Sequence, residues 1–461
     1  MTQALDQAFR AAKEWLRGLD HQFVAAKAEP GDLRRSFGGQ LPLAGMDPHE
    51  VVQFLTRNAP EGLLASAGPR FFAWVIGGAL ESALAADWLV ATWDQNAALF
   101  PCGPSVSVIE ETAGQWLLEL FDLPRTASFA FTTGCQLAHV TALAAARHRL
   151  LENRGWDVEE RGLFGAPPLT VLVNAERHGS VIRAVRFLGM GSNAVVPVPC
   201  NDQGQIMPSA LDQIMANKEG PMILVLNAAD LNAGVCDPFT KVIPMAQRAG
   251  AWVHVDGAFG LFARASRTKR HLLDGVEMAD SWATDGHKWL NVPFDCGVAI
   301  VRDVAAHRAA MELSAPYISA QEGFRDQMDW NPEWSRRARG VPVYAALMEL
   351  GREGVENLVD RCCAYCLALV EGIGALPGVE ILVKPTLNQG LLRFHQPSAT
   401  AQEDDRFTDE TIARINAAGV AFFSGTTWRG RKAMRVSVVN WRTSEADVRR
   451  TIASVAEVLG V

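Results

Sequence analysis

The sequence predicts an α/β protein, a sheet of mainly parallel strands covered by helices on both faces. From about residue 130 to 301, short apolar runs alternate with amphipathic stretches of helix length, which is the signature of that class. The composition, 49% apolar with 20% charged residues, is that of an ordinary globular protein able to bury such a sheet. In order along the chain, residues 1–85 read as a helical N-terminal segment that begins with the amphipathic run MTQALDQAFRAAKEWLRGL. Residues 86–335 read as a large domain. Its strands are expected at 170–174, 194–198, 222–227, 252–255 and 298–301, and its helices at 137–151, 181–188, 209–216 and 239–249. The stretch 317–334, YISAQEGFRDQMDWNPEW, is polar, aromatic and without period, as a mobile functional loop would be. Residues 336–461 read as a smaller α+β domain. It has a helix at 336–351, strands at 378–385, 390–396 and 433–441, and a terminal helix at 444–459.

Bulk properties exclude several function classes. A net charge of −8 with no basic stripe gives no reason to expect nucleic acid. The N-terminus lacks the charged stub and apolar core of a secretory signal. The apolar stretch 71–91 carries Glu81 and Asp87, each costly in lipid, so a buried helix is expected there and no membrane span. The eight cysteines show no paired framework, which fits a reducing cytoplasm. Cys362, Cys363 and Cys366 invite a metal reading. No fourth ligand stands at the right spacing, so they are taken as a core helix face and no metal is expected.

Chemistry concentrates in four runs. WVHVDGAFG, residues 252–260, is an apolar strand ending on Asp256; a buried acid there needs a cationic partner, a metal or an ion pair. DSWATDGHKWLNVPFDCGVAIV, residues 280–301, sets Lys288 between His287 and Trp289 just before a strand. A lysine so placed is a candidate for a lowered pKa and a nucleophilic amine, or else a surface lysine at a turn. Taken together, a strand-end acid and a His-Lys pair about thirty residues later are what a pyridoxal 5′-phosphate enzyme needs. The lysine forms an imine and the acid keeps the pyridine nitrogen protonated. FTTGCQLAHVTALAAARH, residues 131–148, opens an apolar helix with a small-residue turn. Its N–H groups at Gly134, Cys135 and Gln136 would face an anion, although Thr-Thr-Gly is also an ordinary N-cap. In NAERHGSVIRAVRFLG, residues 174–189, His178 stands at a strand-to-helix junction, either flat on a cofactor ring or merely capping.

These runs resemble the group II pyridoxal-phosphate-dependent decarboxylases, which include the aromatic-L-amino-acid, glutamate and histidine decarboxylases. The likeness covers about residues 70 to 445 and is densest at 280–301, in the HKW…FDC pattern. It implies the PLP-dependent transferase fold of the aspartate aminotransferase type (type I), an obligate homodimer, an amino-acid substrate and active sites at the subunit interface. At matching positions it makes Lys288 the Schiff-base lysine and Asp256 the pyridinium partner. Ala258 and His178 take the two faces of the ring, and Gly134–Gln136 with His287 and Asn232 hold the phosphate. FPCGPSVSVIEE, residues 100–111, resembles the family's substrate-pocket segment, and Arg435 stands where glutamate decarboxylases place a carboxylate-binding arginine. With no basic run in that segment, Phe100 and Trp93 lean towards an aromatic or apolar substrate.

The departures are informative too. The family's Gly-Gly-Ser/Thr-Glu-Ala-Asn turn here reads Gly-Cys-Gln-Leu-Ala-His, and Asp285 replaces a frequent Asn beside the expected dianion. The loop tyrosine that returns a proton after carbon dioxide leaves is replaced by Trp330, and Tyr317 aligns with a non-catalytic position. The reading is a cytoplasmic, homodimeric PLP carboxy-lyase. The alternatives are a decarboxylation-dependent aldehyde synthase, another PLP aminotransferase or lyase, and a PLP-binding protein without turnover.

Overall fold

The computed structural model describes residues 2–313 and 324–461. Seven strands form the principal sheet: β1 (Ser128–Thr132), β2 (Thr170–Asn174), β3 (Val195–Val198), β4 (Met222–Asn227), β5 (Trp252–Asp256), β6 (Ser281–Asp285) and β7 (Gly297–Val301). Their spatial order is β1-β7-β6-β5-β4-β2-β3. Only β7 runs antiparallel to its neighbours, so the sheet is mixed. Strands β4 to β7 are buried along their whole length, as expected of a sheet packed on both faces.

The pairing fixes the site. Asn227 pairs with Asp256 across β4 and β5, and Asp256 with Ala283 of β6, so these strands end on one edge. The antiparallel turn from β6 back to β7 carries His287 and Lys288 along that edge. Strand β1, parallel to β6 by virtue of the β7 between them, delivers Gly134 and the helix Cys135–Glu152 there too. Packing is close: a Cβ on Gly297 would stand 2.3 Å from the carbonyl carbon of Gly134. Ligands of open α/β sheets collect at such carboxyl edges.

A second, antiparallel sheet follows, built from β8 (Val379–Val383), β9 (Gln389–Phe394), β10 (Ser424–Trp428) and β11 (Arg431–Ser437) in the order β10-β11-β9-β8. Helices Ala401–Ala418 and Glu445–Leu459 open with capping boxes at Thr400/Glu403 and Ser444/Asp447. The helix expected to stop at 351 does break there, at Gly351 with φ 59°, and then resumes to Gly374. Its second half buries Cys362, Cys363 and Cys366, which belong to no cluster of metal-ligand atoms among the described residues.

Two expectations need correction. Residues 71–91 are not one buried helix: the helix is Glu81–Trp93, and it exposes Trp88, Leu89 and Trp93. Before it, Phe71 and Phe72 pack on Phe422 and Phe423 without helical structure. Among the described residues, no helix is long and apolar enough to cross a membrane. The described part of the 317–334 stretch is tied down rather than free. Asp326 accepts from Phe100 N at 2.7 Å, Met328 N donates to Ala98 O at 3.0 Å, and Asn331 Nδ2 donates to Phe131 O at 2.6 Å. Tyr317 lies outside the described residues.

Candidate active site

At the carboxyl edge of β4–β6 lies a cavity of about 600 Å³. It is lined by nearly every residue singled out in the sequence: Gly134, Cys135, Gln136, His178, Asp256, Ala258, His287, Lys288 and Arg435. Asn232 is not among them. Its side-chain oxygen instead accepts from Thr426 Oγ1 of β10 at 2.9 Å, tying the two sheets together. Phe100 and Trp330 are also absent from the lining. Phe100 stacks on Phe324 at 4.0 Å, and Trp330 packs edge-on against His307. The 100–111 segment is anchored from its other end, because Glu110 is wholly buried in a two-pronged pair with Arg336 at 2.6 and 3.0 Å.

Asp256 is buried at the end of β5. Burial would push its carboxyl up, but His139, Lys288 and His178 outweigh that and hold it well below the usual carboxylate range. Its Oδ1 accepts from Ala258 N at 3.2 Å, while Oδ2 lies 3.5 Å from His139 Nε2. Behind His139 runs a buried chain: His139 Nδ1 to His254 Nε2 at 2.9 Å, and His254 Nδ1 to Ser281 Oγ at 2.9 Å. Burial holds His254 down at about 3, so it is neutral. Sequence reasoning missed this relay as a support for Asp256. Only its two halves were legible: His254 and Asp256 share one face of a strand at i, i+2, and Cys135 and His139 one face of a helix at i, i+4. Trp74, Glu176 and Arg183, also in the lining, carried no such signal.

Lys288 is partly buried, and its Nζ lies 3.1 Å from Asp285 Oδ2. The expectation of a lowered pKa fails. Burial lowers it, but Asp285, with Cys135 and Asp256 behind it, raises it further and keeps the amine charged. Asp285 faces the turn, for its Oδ1 accepts from Cys135 N at 2.6 Å. That N–H is therefore engaged by a carboxylate and not left free for an anion.

His287 Nδ1 accepts from Cys296 N at 3.1 Å, and burial lowers its pKa, so the neutral ring carries its hydrogen on Nε2. His178 caps the helix Gly179–Phe187, accepting from Ser180 N, and it also lines the cavity.

The pyridoxal phosphate group fits this lining. Gln136 Nε2, Asn227 Nδ2 and Arg435 Nε are buried donors without a partner, all on cavity residues, as an acceptor-rich anionic ligand requires. A strand-end carboxylate held ionised suits a pyridine nitrogen, and Lys288 stands beside it.

Comparison with known proteins agrees. The pyridoxal-dependent decarboxylase conserved domain matches residues 30–395. An aromatic-L-amino-acid decarboxylase of Bacillus atrophaeus is 25% identical over 459 residues, 97% of this chain and 93% of that one. A cysteine sulfinic acid decarboxylase of Mus musculus is 26% identical over 396 residues, 84% and 79% of the two chains. The crystal structure of Oryza sativa TDC with PLP and tryptamine superposes with a TM-score of 0.92 at 22% identity, covering 99% of this chain and 97% of that one. The mixed seven-stranded sheet, the smaller second sheet and the extent of that domain match make the chain a member of the pyridoxal-dependent decarboxylase family, a PLP-dependent carboxy-lyase.

Proposed function

We propose that this carboxy-lyase acts as a homodimer on an L-amino acid with an aromatic or apolar side chain, and releases the amine. When bound, the cofactor supplies an electron sink for the bond to the departing carboxylate. The chain's own residues supply the rest. Lys288 holds the cofactor, and Asp256, kept ionised by the relay behind it, binds the ring nitrogen. His287, through Nε2–H, and Gln136 take the phosphate. Arg435 is 5% exposed with an unpaired Nε and is placed to bind the substrate carboxylate. Trp74, Leu231 and Phe259 offer apolar lining for the side chain. With Nδ1 engaged by Ser180, His178 presents Nε2–H to the cavity and can return a proton to the substrate carbon.

The observation that carries this reading is the meeting of Asp256, Lys288 and three unpaired donors in one cavity. A second reading has its own support. Arg183 adds a further cation to the lining, which favours a substrate with an acidic side chain. A panel of amino acids, followed by carbon dioxide and amine release, separates the two. Turnover of tryptophan, phenylalanine or leucine supports the first, and turnover confined to glutamate, aspartate or cysteine sulfinate the second. Borohydride reduction and peptide mapping should place the cofactor on Lys288, and a label on any other lysine would sink the site assignment.

A further inference from the structure

Beneath the cavity floor, the first turn of the helix Cys135–Glu152 meets β5 in a cluster of ligand atoms. Cys135 Sγ lies 3.5 Å from His139 Nε2, which lies 3.5 Å from Asp256 Oδ2. Among the described residues, these form the one Cys/His/acid group whose ligand atoms all fall within 4.8 Å of one another. Zinc bonds of about 2.0–2.3 Å at tetrahedral angles separate neighbouring ligand atoms by roughly 3.4–3.6 Å. Two of the three spacings therefore already match a zinc site. The ligand set of one sulfur, one nitrogen and one oxygen suits zinc or cobalt over magnesium or calcium.

The surroundings fit a metal-binding imidazole as well. His139 can present the Nε2 lone pair if Nδ1–H donates to His254 Nε2 and His254 Nδ1–H donates to Ser281 Oγ. That oxygen also accepts from Trp252 Nε1 at 2.9 Å, and its two lone pairs satisfy both donors. An outer partner on the second ring nitrogen is what orients histidines in metal sites. Cys135 and Asp256 both line the cavity, so a fourth coordination position opens onto it.

We propose that the cofactor-free enzyme binds one zinc-like divalent cation at Cys135, His139 and Asp256, and that this ion and the cofactor exclude each other. On binding, the Cys135 thiol gives its proton to solvent. The thiolate and the carboxylate together neutralise the ion, and Asp256 no longer offers a negative charge to a ring nitrogen. The binding itself rests on the cluster geometry alone, whereas the exclusion rests on the proposed role of Asp256.

The test uses the full-length protein resolved of cofactor and titrated with cobalt(II). One ion per chain should bind, with a thiolate charge-transfer band in the near ultraviolet and the intense visible bands of tetrahedral cobalt, and zinc should displace it. Cys135→Ser should remove the thiolate band while Cys200→Ser leaves it, with thermal melts confirming that each variant is folded. His254→Gln, which keeps all three ligands, should weaken zinc about 10–100-fold. Preloading with pyridoxal phosphate should abolish the cobalt spectrum. No binding at millimolar metal, or a spectrum indifferent to Cys135→Ser, would overturn the site. Simultaneous binding of metal and cofactor overturns the exclusion. A protein that takes up zinc as described but never pyridoxal phosphate would support the site and count against the proposed function.

Discussion

At Lys288 the decisive neighbour is Asp285, whose two oxygens bridge the lysine and the Cys135 N–H. Burial alone would favour the neutral amine, and the acid reverses the sign. Asp285→Asn should therefore bring the titration of Lys288 down in cofactor-free protein, so that the amine reacts at lower pH. The pH dependence of reductive methylation at Lys288, read by peptide mapping, checks this; an unshifted profile would mean that the acid is not the controlling charge. The sequence made Lys288, His287 and Asp256 legible because strand ends and small-residue turns bracket them. It left the sign of the lysine shift illegible, because that depends on which way a carboxylate turns. The His139–His254 contact was hidden for a similar reason: the two rings stand 115 positions apart and meet only when the helix packs on β5.

At the scale of elements, the buried pair of Glu110 and Arg336 holds the helix Pro104–Leu120 against the start of Gly340–Gly374. Arg336 also donates to the carbonyls of Ala97 and Phe131, and Gly340 N donates to Glu110. Glu110→Ala should cost about 3–5 kcal/mol, because it leaves a guanidinium buried without its counter-charge. Denaturant unfolding measures the cost, and a loss under about 1 kcal/mol, the range of exposed pairs, would contradict it. Strands β2 and β4 were readable residue for residue from their unbroken apolar runs. Strands β1, β6 and β10 were not predicted. SFAFT, SWATD and SGTTW carry hydroxyls or an acid at their ends and show neither a long apolar run nor alternation. The sheet context, and not their own propensity, makes them strands.

For the whole molecule, acid sensitivity and assembly both follow from what is buried and what is not. Burial holds His254 and His307 down at about 3, against an ordinary value of about 6.5. Between those values the unfolded chain binds protons that the folded chain refuses, so these rings stabilise the fold above pH ~6.5 and lose that contribution as pH falls. At pH 5 the loss is about 2 kcal/mol per ring. Asp237, pushed up to about 6 by burial, acts in the opposite sense, so a variant isolates the effect. His307→Gln should flatten the melting temperature between pH 7 and 5 by up to one proton's worth of slope; parallel curves would refute it. The N-terminal segment poses the other question. Helices Pro30–Phe37 and Pro48–Asn58 bury no residue in this chain, and Leu41 and Leu43 between them are 92% and 108% exposed. Leu5, Phe9, Trp88 and Leu89 are exposed as well, and exposed apolar patches mark interaction surfaces. A second copy of the chain is the cover we expect, and with it the absence of Phe100 and Trp330 from this protomer's cavity is resolved if they serve the partner's. Sedimentation should find a dimer at micromolar concentration, and Leu41→Asp with Leu43→Asp should shift it to monomer with loss of turnover. A fully active wild-type monomer would remove the dimer and the shared site together, while a double variant that stays dimeric would place the interface elsewhere.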